Sequence, residues 1–143
     1  MPKLLRNVLA LLLGIFIGSA VNMALITFGP MLIAPPAGVD VGTAEGLRAG
    51  MHLFKPQHFV MPFLAHALGT LAGALVAYAV AASAKLLLAY AVGAVFLCGG
   101  MAASFMIPAP AWFIAVDLLG AYLPMAWLAT RLGRALPAAQ TNA

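Results

Sequence analysis

The sequence contains very little charge. Only 7% of its 143 residues are Asp, Glu, Lys or Arg, whereas 65% are hydrophobic, and only three residues are acids. A soluble domain carries about 25% charged residues, which supply the polar surface that faces water. The composition therefore excludes an ordinary soluble globular protein and indicates a protein that lies in a lipid bilayer.

Cysteine is almost absent as well, because Cys98 is the only one in the chain. A single cysteine excludes an internal disulfide framework and paired-thiol motifs, and its apolar surroundings predict a buried thiol. The net charge of +4 does not indicate nucleic acid binding. The basic residues lie at the ends of apolar segments rather than along one exposed face.

Four apolar runs are long enough to cross a bilayer, which takes about 20 helical residues. They cover residues 8–30, 59–81, 86–107 and 112–132. None of them shows the alternation of a barrel strand, and helices satisfy their own backbone hydrogen bonds in lipid. The sequence therefore predicts an all-α integral membrane protein with one domain, an antiparallel bundle of four transmembrane helices joined mostly by short connections.

The basic residues predict the orientation of this bundle. Five of the seven fall on one side of the predicted membrane: Lys3, Arg6, Lys85, Arg131 and Arg134. The positive-inside rule then places both termini in the cytoplasm, and the compact design is typical of a bacterial inner-membrane protein. The first run also resembles a signal peptide, but its apolar stretch continues well past the small residues of a cleavage site, and an uncleaved helix is expected.

The connection between the first two spans, residues 31–58, is much longer than the others. Thr43 is a suitable helix cap, and Leu47, Met51 and Phe54 recur at helical spacing, which predicts a short amphipathic helix on the outer membrane surface. Long ordered loops often carry function. The polar side chains in this loop are therefore candidate ligand-binding residues: Glu45, Arg48, His52 and His58.

Polar side chains on three different spans fall at similar depths. At about 1.5 Å per residue, Asp117, His66 and Asn22 lie about 8, 10 and 12 Å below the outer interface. A charge in the membrane interior costs at least about 2.5–3.5 kcal/mol unless it is paired or reached by water, so we expect Asp117 and His66 to meet, with Asn22 bridging them. Thr70 and Ser104 lie close enough to join this pocket, which would open outward.

Two interpretations of this polar group remain open. It is either a structural hydrogen-bonded cluster that fixes helix register, or a pocket that binds or translocates a small solute, an ion or a proton, with Asp117 and His66 as the titrating pair. Hydrolysis is not expected, because neither Ser104, Thr70 nor Cys98 belongs to a nucleophile motif. The pocket is the leading hypothesis, and an enzyme is not predicted.

Two further functions compete with the pocket. Small residues recur along one face of the second span, at Ala65, Gly69, Gly73, Ala77 and Ala81. Such faces pack helices within a chain, form homodimers, or let an accessory protein bind a partner subunit or lipid. The remaining alternative is a metal or haem at the outer face, bound by methionine and histidine. Its candidate ligands are Met31, Met51, Met61, Met101 and Met106 with His52 and His58. The sequence assigns no specific metal or cofactor.

Overall fold

The computed structural model describes residues 1–135, which form helices and connecting turns without any strand. The six α-helices are α1 Lys3–Phe28, α2 Ala44–Gly50, α3 Val60–Val80, α4 Lys85–Met106, α5 Ala111–Gly120 and α6 Leu123–Ala135. Three 3-10 turns, Gly29–Met31, Met51–Leu53 and Pro56–Phe59, lie in or beside the long loop. The prediction of an all-helical chain is confirmed for these residues.

Four segments of the described chain are long and apolar enough to cross a membrane. They are Lys3–Met31, Pro56–Val80, Lys85–Met106 and Ala111–Ala135, which supports a multi-pass membrane protein. The first helix begins five residues before the predicted run, because hydropathy marks the residues that suit lipid and not the point where helical hydrogen bonds start.

The fourth segment is broken into two helices. The predicted span over residues 112–132 lies within one segment suited to crossing a membrane, and this segment bends at Ala121 and Tyr122, between the end of α5 at Gly120 and the start of α6 at Leu123. Pro124 lies in the first turn of α6, where its missing N–H costs no helical hydrogen bond. The bend therefore places the proline where a helix tolerates it.

Helices α1 and α3 pack with their backbones in close contact. A methyl group added to Gly14 would lie 2.7 Å from the carbonyl oxygen of Gly73, and one added to Gly18 would lie 2.7 Å from that of Gly69. Because Gly14 meets Gly73 and Gly18 meets Gly69, the two helices run antiparallel to each other. The small-residue face of α3 thus serves packing within the chain, as small residues do where membrane helices meet.

We call the two ends of the bundle the loop end, covered by residues 31–58, and the turn end, formed by the start of α1, the turn at residues 81–84 and the end of α6. In the core toward the turn end, the fully buried side chains are small, and larger apolar side chains pack around them. The fully buried ones are Ala74, Ala77, Ala89, Val92, Ala126 and Ala129. Such short side chains let the helices approach closely and leave little space between them.

Asn7 joins α1 to the turn between α3 and α4. Its amide Nδ2 donates to Ser83 Oγ at 2.9 Å, while its Oδ1 accepts the backbone N–H groups of Ala82 and Ser83 at 3.0 and 3.2 Å. Next to it, Arg6 Nε donates to the Val80 carbonyl at 2.7 Å. The turn end is therefore held by side-chain hydrogen bonds as well as by packing.

One face of α4 carries exposed small residues. Ala94, Cys98, Gly99 and Ala102 are exposed, and a methyl group added to Gly99 would meet no atom within 4 Å. The expectation of a buried thiol was wrong for this chain, because Cys98 lies on the outer surface of the bundle.

Candidate functional site

His66 on α3 and Asp117 on α5 are in direct contact. The imidazole Nδ1 lies 2.8 Å from Asp117 Oδ1 and 3.0 Å from Oδ2, so the Nδ1–H group donates to the carboxylate. Asp117 is only 5% exposed, whereas the His66 side chain is 25% exposed. The pair therefore has a buried acid and a histidine that remains accessible.

Tyr122 is a third member of this group, and sequence reasoning missed it. Its hydroxyl donates to Asp117 Oδ2 at 2.9 Å, and its ring stacks on that of His66 with the centroids 5.9 Å apart. On an unbroken helix, residues five apart point about 140° away from each other. The bend at Ala121 and Tyr122 brings the hydroxyl back to the carboxylate. Gly120 and Pro124, on either side of that bend, were the signal in the sequence.

Gly100 on α4 provides the space for the Tyr122 hydroxyl. A methyl group added to Gly100 would overlap the hydroxyl oxygen and the ring carbon that bears it. Tyr122 itself is 2% exposed. Its position is therefore fixed by α4 on one side and by the hydrogen bond to Asp117 on the other.

Asn22 and Thr70 do not take the positions expected for them. Asn22 Oδ1 is buried without a hydrogen-bond partner among the described residues, and its Cβ lies against Gly69, so Asn22 does not bridge the pair. Thr70 is fully buried and donates from Oγ1 to the His66 carbonyl at 2.8 Å. Thr70 thus supports the backbone that carries His66 and does not line the cavity beside it.

A cavity of about 240 Å³ lies beside His66 and Asp117, between α3, α4 and α5. Its polar side chains are His66, Asp117 and Ser104, and Ser104 Oγ already donates to the Met101 carbonyl at 2.7 Å. The rest of the wall is apolar. Ligand sites in proteins commonly have this character, an apolar cavity with a few polar groups.

The long loop, with α2 and the 3-10 turn after it, forms the roof of this cavity. Leu47, Met51 and Phe54, the apolar stripe identified in the sequence, all line it. Thr43 caps α2 by accepting the Gly46 N–H at 3.0 Å. Arg48 Nε donates to the Met106 carbonyl at 2.7 Å, which ties the loop to the end of α4.

The outer-loop candidates do not converge on the His66–Asp117 pair. Glu45 and His52 are exposed and line neither cavity, and Arg48 forms the tie to α4. His58 accepts the Lys55 N–H on its Nδ1 at 2.9 Å and borders a second cavity of about 140 Å³. These four residues therefore hold or surround the loop and form no common site.

The metal and haem alternative gains no support from the arrangement of ligands. The described residues contain no group of three or more His, Cys, Asp or Glu side chains that could hold a metal ion. The methionines are also dispersed. Met51 and Met61 line different cavities, while Met31, Met101 and Met106 are exposed.

The chemistry available at the cavity is that of an oriented imidazole. Asp117 occupies Nδ1, so Nε2 is the ring nitrogen of His66 that remains for a ligand or a proton. On the turn-end side of the pair, Ala67, Ala121 and Tyr122 form a buried cluster.

Comparison with family models, curated proteins and solved structures finds no match for this chain.

Proposed function

We propose that this chain is a multi-pass bacterial inner-membrane protein that binds a small solute in its outward-facing cavity. Four segments suited to crossing a bilayer support the membrane assignment. In this proposal they form an antiparallel bundle with both termini cytoplasmic, because five of the seven basic residues lie at the turn end and the positive-inside rule assigns that end to the cytoplasm. The loop end then faces the periplasm.

The observation that carries the proposal is the cavity beside the His66–Asp117 pair. A polar cluster that only fixed helix register would be best served by a closed and fully packed core. Here the acid is buried while the His66 side chain remains 25% exposed and lines a space of about 240 Å³. Ionisable residues within membrane segments that face such a space typically mark a solute or ion site.

Binding is supported better than conduction through an open channel. Ala67, Ala121 and Tyr122 form a buried cluster next to the pair, and a second buried core lies toward the turn end. Translocation of the bound solute would require the helices to move. The bend at Ala121 and Tyr122 is a suitable hinge for that movement, because it interrupts the fourth segment next to the site.

Mass spectrometry of the protein extracted from its native membranes tests the binding proposal. We expect wild-type protein to carry a small-molecule adduct that His66→Leu and Asp117→Asn both lose. His52→Ala is the matched control, because His52 is exposed and lines neither cavity, and it should keep the adduct. Folded wild-type protein without any adduct would contradict the proposal.

Flux measurements in liposomes test whether binding leads to transport. We expect uptake of the solute identified by mass spectrometry, or of protons, to fall at least tenfold in His66→Leu. If wild-type protein is active and the flux is unchanged in both His66→Leu and Asp117→Asn, these two residues have no role in transport.

A second candidate function is that of an accessory protein that binds a partner subunit, lipid or a second copy of itself. The exposed small-residue face of α4 favours it, because such faces allow close helix approach in membranes. Oxidation of Cys98 in native membranes tests the homodimer. If two copies meet along this face, a disulfide between their Cys98 side chains should link them, and the control Cys98→Ser should give no linked dimer. Copurification of a stoichiometric partner would support the accessory role.

A further inference from the structure

The wall of the cavity excludes most chemical classes of ligand. All but three of its lining residues, His66, Ser104 and Asp117, have side chains without polar groups. A hydrated inorganic ion would lose water here without gaining enough oxygen or nitrogen ligands in exchange. The body of the ligand must therefore be apolar.

The charges at the cavity exclude an anion. No Lys or Arg side chain lines it among the described residues. The guanidinium of Arg48 is held at the end of α4 by the Met106 carbonyl, while Asp117 brings a carboxylate to the wall. An anionic ligand would be repelled without compensation, so the ligand is neutral or cationic.

The hydrogen bonds at the site leave the second ring nitrogen of His66 as an acceptor for the ligand. Asp117 Oδ2 accepts from Tyr122, and both carboxylate oxygens receive the Nδ1–H of His66. Since Nδ1 carries the proton, Nε2 of the neutral imidazole offers a lone pair. The stacked Tyr122 ring fixes the plane of that imidazole. The bound molecule therefore donates a hydrogen bond to Nε2.

The size and the aromatic lining define the ligand further. Phe54, Phe59 and Phe113 line the cavity, and the last two rings lie 4.7 Å apart. A closed apolar cavity of about 150 Å³ holds benzene, so about 240 Å³ accommodates a single ring with a short substituent. Aromatic side chains pack favourably against such a ring.

From these observations we propose that the ligand is a small apolar molecule, about the size of a substituted single ring, with one hydroxyl or N–H group that donates to His66 Nε2. The inference rests on the proposed binding function and narrows its substrate class. Hydrated ions are excluded as the physiological ligand.

A matched pair of probes tests this inference: 4-ethylphenol, and 4-ethyltoluene, in which a methyl group replaces the hydroxyl. The protein is labelled with ¹⁵N-histidine and placed in nanodiscs, and affinities are corrected for partition into lipid. We expect 4-ethylphenol to bind at least tenfold more tightly and to shift the Nε2 resonance of His66 in a saturable way. Both effects should vanish in His66→Leu and persist in His52→Ala.

The contrary outcomes separate this inference from the function on which it rests. If the two probes bind equally tightly and the Nε2 resonance of His66 does not shift, the ligand does not need a hydrogen-bond donor, although the cavity remains a binding site. A saturable response of His66 to potassium or ammonium ions alone would overturn the apolar ligand class and also leave the binding function. A folded protein in which no probe or ion perturbs His66 would overturn both proposals.

Discussion

The two halves of the bundle differ in the largest side chains that they bury. Toward the turn end, the fully buried residues are alanines with Val92, and larger side chains such as Tyr78 and Phe96 are only partly buried against them. Toward the loop end, the rings of Phe59, Phe113 and Tyr122 stand between the helices. The cavity of about 240 Å³ lies at the loop end, where Phe59 and Phe113 line it.

If the cavity binds a ligand as proposed, stability and binding depend on different halves of the bundle. The small residues of the turn-end half allow close backbone contact, which is the main source of helix association in lipid. The loop-end half contains a buried carboxylate and unfilled space, both of which cost stability. A natural protein tolerates such costs where a site needs them.

The largest effect is expected at the glycine contact between α1 and α3. In Gly73→Val, the added Cβ would lie 2.5 Å from the Gly14 carbonyl oxygen, and since that neighbour is backbone, the helices must separate. We expect a loss of about 2–3 kcal/mol in the free energy of unfolding, measured by detergent titration. Gly99→Val is the control, because Gly99 faces open space. If Gly73→Val and Gly99→Val lose the same free energy of unfolding, the close contact between α1 and α3 does not contribute to stability as we propose.

Removal of the carboxylate should have the next largest effect. Asp117→Leu leaves the His66 Nδ1–H and the Tyr122 hydroxyl without an acceptor, which we expect to cost about 1–3 kcal/mol in the same titration. The triple variant Asp117→Leu, His66→Leu and Tyr122→Phe removes the unpaired donors. It should recover most of that loss while binding stays abolished. If the triple variant is less stable than Asp117→Leu alone, the side chains of Asp117, His66 and Tyr122 stabilise the fold together as a network.

Displacement of Tyr122 is predicted to be milder. Gly100→Ala puts a methyl group where the tyrosine hydroxyl lies, so the hydrogen bond to Asp117 should be lost at a cost of about 1 kcal/mol. The adjacent Gly99→Ala adds the same methyl group toward open space and should change little. Binding of 4-ethylphenol should weaken in the first variant alone, and equal affinity in both would show that Tyr122 does not position the pair.

The smallest effect on stability is expected at the loop. Arg48→Ala removes the tie to the Met106 carbonyl, but Arg48 is exposed, and we expect a change below about 0.5 kcal/mol. Hydrogen exchange of α2 should nevertheless become faster, because the roof of the cavity loses its link to α4. Unchanged exchange would indicate that the apolar stripe alone holds α2 in place.

The sequence predicted how deep the polar residues lie below the interface better than it predicted which of their side chains face the site. Counting residues from the interface placed His66 and Asp117 at one level, where the structure has them in contact. The same count placed Asn22 there, yet Asn22 packs against Gly69, because depth carries no information about which side of a helix faces the site. Tyr122 escaped notice because an unbroken helix would turn it away from Asp117.

The loop shows what local pattern can provide. The Thr43 cap and the stripe of Leu47, Met51 and Phe54 were visible in the sequence, and Thr43 does cap α2. The α-helix is shorter than the stripe predicted, because α2 ends at Gly50, Met51 lies in the 3-10 turn that follows, and Phe54 is extended. The contact between Arg48 and the Met106 carbonyl was not predictable, because the two residues lie 58 positions apart in the chain. Local patterns fix helices and caps, whereas contacts between distant residues depend on how the whole chain is arranged.

The hydrogen bonds of Asn7 have a consequence for the order of assembly during synthesis. Ala82, which donates to its Oδ1, follows 75 residues later in the chain. At about 5–20 residues per second, a ribosome needs roughly 4–15 s to make that stretch. Helix α1 is therefore made several seconds before this partner exists, and the hydrogen bonds of Asn7 form only after the turn between α3 and α4 has been synthesised.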